Sequence, residues 1–314
     1  MMENSIGQSI IKTLSYFDIF DYPLTLAEIR KYSEKTIELS DEELLEEVLS
    51  ISIIQESQSF FYFLGRSEIV AKRLERSDTS IQKFGKARVV AKILSKIPMV
   101  EYIGVSGSLS MNNSLISDDI DLFFIAKKNT LWITRFFVNS ILILIRQKRS
   151  KSKKNSQDKI CPNMFIVSNA LALPKKRMNL YSAHEIVQLR TLFDRKDSYN
   201  KFLIANNWVG NFLPNITLPI SKKQKVQKNK MYALIRPLEA IFFFSQKLYM
   251  KKSASSETIL SNLAMFHPIN KEKIILDLYE LKSKKYLDLF KEDKWIDSNE
   301  AKFYFDEKKI RILN

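Results

Sequence analysis

The residues best suited to chemistry in this 314-residue chain fall within one stretch, "VSGSLSMNNSLISDDIDLFFIA", residues 105–126. Asp119 and Asp121 stand two apart at the head of an apolar, β-prone run. Side chains alternate along a strand, so both carboxylates project to one face while Ile120 points to the other. Carboxylates held together in this way repel, and a hard divalent cation such as Mg²⁺ is the usual reason to tolerate it. Just upstream, Gly107-Ser108 allows a tight turn in which a backbone amide and a hydroxyl can approach a phosphate. Metal plus phosphate is the chemistry these residue types imply. The structural alternative is a pair of surface aspartates at an ordinary turn-strand junction.

Other reactive groups offer less. The only histidines, His184 and His267, form no Cys/His cluster of zinc spacing with the lone Cys161. His184 in "YSAHEIVQLR" sits beside Ile186, Val187 and Leu189, the setting of a packed histidine rather than a catalyst. Ser106 and Ser108 lack a histidine partner, which argues against a serine hydrolase. A single cysteine excludes an intrachain disulfide framework and fits a reducing, cytoplasmic setting.

The elements that must position the stretch follow from periodicity. A helix predicted over 78–96 leads to "MVEYIGVSG", whose Val100, Tyr102, Ile103 and Val105 read as a strand. "IDLFFIA" reads as a second strand, apolar enough to be buried on both faces. A helix over 131–147, a basic loop "RQKRSKSKKNSQ" and a third strand "MFIVS" follow. The 131–147 segment carries Arg135 and Asn139 and falls short of the roughly 20 residues a bilayer span needs, so it reads as a core helix and no membrane contact is expected. Ahead of this unit, Thr25 with Glu28 and Ser40 with Glu43 are capping boxes that start two helices after a first amphipathic one. "SIIQ" and "SFFYFLG", separated by Glu56-Ser57-Gln58, then read as a hairpin. Three helices and a hairpin are the outline of a winged helix. From about 179 onward the pattern is helical, and "SKKQKVQKNK", residues 221–230, reads as an exposed linker.

The Gly-Ser turn, the ten-residue spacer 109–118 and Asp119-Ile120-Asp121-Leu122 entering a hydrophobic strand together resemble the signature of the nucleotidyltransferase superfamily, the DNA polymerase beta-like fold. The resemblance covers about 83–173. It implies that Asp119 and Asp121 hold Mg²⁺ (or Mn²⁺) against the phosphates of a nucleoside triphosphate. It further implies that Gly107 and Ser108 hold the terminal phosphates, and that an acceptor hydroxyl attacks the α-phosphate with pyrophosphate leaving. The expected architecture is α+β: a winged-helix-like domain over 1–75, a mixed-sheet nucleotidyltransferase core over 76–176 and a helical C-terminal domain over 177–314.

One departure from that pattern matters. The family normally carries a third carboxylate on the next strand, yet Asp158 is the sole acid between Asp121 and Glu185. It lies at the end of the basic loop, while Asn163 fills the early strand position and cannot act as a base at neutral pH. Three outcomes are open: Asp158 swings in as a catalytic group, the site holds one metal, or chemistry is lost and nucleotide binding remains.

Charge distribution bears on partners. Residues 1–65 hold four Lys/Arg and twelve Asp/Glu, while the whole chain carries a net charge of +15. The basic body suits an anionic substrate. The acidic head suits a protein partner, because a third helix bearing Asp41, Glu42, Glu43, Glu46 and Glu47 would be repelled by a duplex, so DNA is not expected. Arg146 to Lys154 with Lys175, Lys176 and Arg177 would guide a triphosphate or simply be solvated. No RNA-binding signature is present, which leaves the acceptor unidentified and favours a protein or small molecule over RNA.

Overall fold

The structure, a computed structural model, describes residues 6–149, 157–219, 232–251, 258–265 and 269–291. The expected linker at 221–230, the tip of the basic loop at 150–154 and His267 lie outside the described residues.

The chain opens with three helices, α1 (Ile6–Asp18), α2 (Leu26–Tyr32) and α3 (Asp41–Leu49). The capping boxes form as the sequence dictates: Thr25 and Ser40 each accept from the backbone N–H three residues on, and Glu28 and Glu43 reach back to the cap amides. The hairpin follows as β1 (Ile54–Ser57) and β2 (Phe60–Phe63), with Gln58 and Ser59 both in the left-handed region at its tip. That pair of positive φ angles matches the twist of a two-residue turn.

Helix α4 (Glu68–Leu94) is longer than expected at its N-terminal end and leads to β3 (Val100–Val105). A one-turn helix α5 (Gly107–Ser110), then β4 (Ile120–Ala126), α6 (Leu131–Leu144) and β5 (Ile160–Val167) complete the central unit. Strand β5 begins four residues before the expected "MFIVS". Pro162 and Asn163 argue against a ladder there, but an irregularity in the β4–β5 register absorbs them.

Beyond 177 the sequence reading of helices alone is corrected. Helix α7 (Leu180–Val187) ends earlier than "YSAHEIVQLRTLF" implied, and its tail becomes β6 (Arg190–Asp194). Helices α8 (Ser198–Ala205) and α9 (Tyr232–Lys251) precede the short strands β7 (Thr258–Ile259) and β8 (Leu263–Met265), and α10 (Ile269–Lys291) closes the described chain. These strands run two to five residues, too short to show an alternation of their own. They are recruited by the sheet, whose order is β6-β3-β4-β5-β8-β7. The β4–β5 pair is parallel and bridged by α6; every other pair is antiparallel.

The two faces of this α+β sheet are covered differently. Ile120, Leu122 and Phe124 of β4 pack with Phe84, Ala87 and Leu94 of α4 and Leu131, Trp132 and Val138 of α6 in one apolar cluster. Glu239 of α9 supplies the cap that α6 lacks, accepting from the amides of Trp132 and Ile133. Phe123 and Ile125 face the other way, into a cluster that includes Ile10, Leu14 and Phe17 of α1, Ile186 of α7, Phe202 of α8 and Ile275 of α10. The opening helices thus share a core with the sheet and the last helix. Stacking of Phe63 on Tyr286, with ring centroids 3.5 Å apart, extends that contact to the hairpin.

Candidate functional site

Asp119 and Asp121 have the parity of Phe123 and Ile125, so they open the sheet face that looks toward α1, α7 and α10. Strand β3 ends beside them: the Ser106 amide donates to the Asp121 carbonyl at 3.1 Å, and Gly107 turns the chain with φ +66°. A side chain there would be strained, because a Cβ on Gly107 would stand 3.1 Å from Asp121 Oδ2 in a backbone conformation L side chains rarely adopt. The glycine therefore allows the turn to close directly over the carboxylate.

The spacer between turn and strand is tied by Asp118. Its carboxylate accepts from the Leu115 amide at 2.9 Å and from the Ser108 hydroxyl at 3.1 Å. The buried Lys83 of α4 holds the same loop from behind, donating to the carbonyls of Ile116 and Asp118 at 3.1 and 2.5 Å. Lys83 also explains the fate of Asp158. That carboxylate forms an ion pair with Lys83 at 2.9 Å and stays 38% exposed, in a residue with φ +57°. It is not brought together with Asp119 and Asp121.

The third group on the site is Cys161. In the parallel β4–β5 register it stands opposite Asp121, and one donor atom from each of Asp119, Asp121 and Cys161 lies within 4.8 Å of the others. Asn163, the residue the sequence placed at this point, is buried one bulge further along. Arg149 bridges the cluster from outside, with Nη1 2.8 Å from Asp119 Oδ2 and 3.7 Å from Cys161 Sγ.

Electrostatics follow from this crowding. Burial, then the charge of Asp119, pushes the Asp121 carboxyl up to about 7, while the Cys161 hydrogen bond and Lys271 oppose the shift. Burial followed by the neighbouring aspartates raises the Cys161 thiol well above its usual range. Burial also raises Glu185, against the pull of Lys271. The donor set of two carboxylates and a thiol, a bare glycine beside them and a guanidinium already on two of the donors fit a divalent cation.

A cleft of about 350 Å³ opens in front of the site. Gly107, Ser108, Asp119 and Asp121 form one wall; Tyr16, Phe20 and Tyr22, from α1 and the loop after it, form an aromatic one. Glu185 and Tyr181 of α7, Lys271 of α10 and Arg76 of α4 complete it. Arg76 is anchored by the Phe20 carbonyl and Asn113. The sequence alone singles out neither Cys161, Glu185 nor Lys271 for the site, and it offers Arg149 only as part of the basic run from Arg146 to Lys154. The β4–β5 register that puts Cys161 opposite Asp121 has no readable signal in the sequence, because the irregularity beside Pro162 interrupts the alternation.

The remaining sequence candidates settle simply. His184 is buried, stacks on Tyr16 with centroids 4.0 Å apart and has its pKa lowered to about 3 by burial, so it is a packing residue. Arg177 is not a surface cation: it is buried and ion-paired with Glu272. Among the described residues no helix is long and apolar enough to cross a membrane. No family model, curated protein or solved structure matches the chain, and the functional reading rests on the residues and geometry of this cleft.

Proposed function

We propose that the protein is a metal-dependent nucleotidyltransferase, built on a polymerase beta-like core with a winged-helix-like head, that moves a nucleoside monophosphate from a triphosphate to an unidentified hydroxyl. The observation that carries this reading is the convergence of Asp119, Asp121 and the Gly107-Ser108 turn on one rim of a cleft that is aromatic on another side and lined by Arg76 and Lys271. A triphosphate meets donors from the turn and positive charge from Arg76 and Lys271, and a base meets the faces of Tyr16, Phe20 or Tyr22. Asp119 and Asp121 would hold a divalent cation, which would supply charge neutralisation at the transferring phosphoryl group. We assign the carboxylate of Glu185, on the α7 wall and made a stronger base by burial, to accept the proton of the attacking hydroxyl. The cleft volume suits a nucleotide and a small acceptor group, in keeping with a protein side chain or small molecule.

The test is transfer of label from α-phosphate-labelled nucleoside triphosphates, with Mg²⁺, Mn²⁺ or Zn²⁺, into total cell protein, RNA and small molecules. Transfer by wild type that falls about a hundredfold or more in Asp121→Asn supports the reading. Equal transfer by both proteins removes the metal assignment. A second reading, nucleotide binding without transfer, is favoured by Cys161 standing where the family has a carboxylate and by Lys83 holding Asp158 away. A rise in Tm with triphosphate and metal, with no pyrophosphate released under any metal, selects it.

A further inference from the structure

We propose that Cys161 is the third protein ligand of the metal and that the site consequently selects a thiophilic divalent cation of the Zn²⁺ type over Mg²⁺. This rests on the reading of Asp119 and Asp121 as metal ligands and adds the identity of the metal class.

The backbone sets the geometry. Cys161 and Asp121 are register partners on adjacent parallel strands, so neither backbone can drift from the other without breaking the ladder between β4 and β5. Ligand bonds of about 2.0–2.3 Å place the donors of one tetrahedral ion roughly 3.5 Å apart. The three donors already lie within 4.8 Å of one another, a gap that side-chain rotation closes.

The chemistry of the set sets the selectivity. Mg²⁺ dehydrates reluctantly and takes oxygen ligands in near-ideal octahedra. A thiolate replaces one of those oxygens with a soft donor, which favours Zn²⁺ and its surrogates Co²⁺ and Cd²⁺. Two protein carboxylates and one sulfur leave a fourth position open toward the cleft, the pattern of a catalytic rather than a structural centre. Binding exchanges the thiol proton, released to solvent, for the metal–sulfur bond. Arg149 touches both Asp119 and Cys161, so a positive charge already rests where the cation is placed, and the arriving metal displaces it.

Cys161 is the sole cysteine of the chain, so any sulfur-to-metal charge-transfer band reports this site alone. The experiment is titration of the full-length protein with Co²⁺ and with Cd²⁺, followed by ultraviolet and visible absorption. One equivalent should bring up a sulfur charge-transfer band, competed away by Zn²⁺ and not by a large excess of Mg²⁺. Cys161→Ser should lose the band and weaken Zn²⁺ binding at least about tenfold. Cys161→Asp should lose the band and gain a Mg²⁺-dependent rise in Tm that wild type lacks. Saturating Cd²⁺ without a sulfur band in folded wild type overturns the proposal, and needs no variant to do so. Equal Zn²⁺ affinity of wild type and Cys161→Ser overturns it as well. Label transfer supported by Mg²⁺ alone, without a band, defeats this inference and leaves the transferase reading standing. A band without transfer under any metal does the reverse.

Discussion

Two clusters of buried charge in this molecule contain aspartates on the same side of the sheet, and they are resolved in opposite ways. At the junction of α1, α4 and α10, Asp18 pairs with Arg66 at 2.9 Å and with Lys282, while Asp21 pairs with Arg66, Lys72 and Arg76 at 2.5, 3.1 and 3.5 Å. Burial raises Asp21, yet the guanidinium and ammonium groups outweigh it and hold the carboxyl below its usual range. In the candidate site, the half-exposed Arg149 pairs with Asp119, and Asp121, with no ion pair of its own among the described residues, rises to about 7 despite the Cys161 hydrogen bond and the field of Lys271. In the first cluster the carboxylates share Arg66 and each has at least one further cation. The second cluster keeps a charge deficit that an incoming cation would fill, which is how a binding site differs from a structural ion pair.

Several substitutions would break or sharpen this contrast. The largest effect belongs to the structural cluster: Arg66→Ala should destabilise the protein by about 2–4 kcal/mol, since it leaves the buried Asp18 with Lys282 alone and takes one of three cations from Asp21. Chemical denaturation checks this, and metal binding by the folded fraction should be unchanged. Asp121→Asn should act in the opposite direction. A folded carboxyl raised from 3.8 to about 7 binds more protons than its unfolded counterpart across that window, so stability falls as pH climbs from about 4 to 7. The variant should be more stable than wild type above pH 7, by on the order of 1–3 kcal/mol, and equal to it below pH 4. Tm measured against pH without metal decides this; added Zn²⁺ should reverse the order.

Smaller effects probe the edges. Arg149→Ala removes the cation that competes for Asp119 and Cys161, and should tighten divalent-metal binding by roughly fivefold, the scale of a half-exposed ion pair of up to about 1 kcal/mol. Isothermal titration with Zn²⁺ measures it. Asp158→Ala should be the mildest. Lys83 keeps two carbonyl acceptors, so transfer and metal affinity should match wild type and stability should drop by at most about 1 kcal/mol. A loss of transfer comparable to that of Asp121→Asn would place Asp158 in the site after all.

Much of the local order was legible in the sequence. The capping boxes at Thr25 and Ser40, the alternation that aligns Asp119 with Asp121 and the packed environment of His184 depend on near neighbours, which the sequence displays. The closing of the site was not legible, because its members come from far apart. Cys161 meets Asp121 through a strand register that a bulge near Pro162 obscures, and Glu185 and Lys271 arrive from helices whose docking no periodicity specifies. Asp158 misled for a similar reason: its proximity in sequence to β5 concealed Lys83, which reaches it from α4. The strands β6, β7 and β8 were missed because two to five residues carry no readable pattern without the sheet beside them.

The packing of α1 on α10 has a consequence for how the chain is made. Lys282 reaches Asp18 across 264 residues of sequence, and Tyr279 bonds Glu34 across 245. At a synthesis rate of roughly 5–20 residues per second, α1 leaves the ribosome some 10–50 s before the helix that covers it. Throughout that interval Ile10, Leu14 and Phe17 lack part of their final cover. Because α1 and α10 also wall the cleft, the pocket is completed only when synthesis is nearly finished, and a prematurely released chain lacks the wall that carries Lys271 and Ile275.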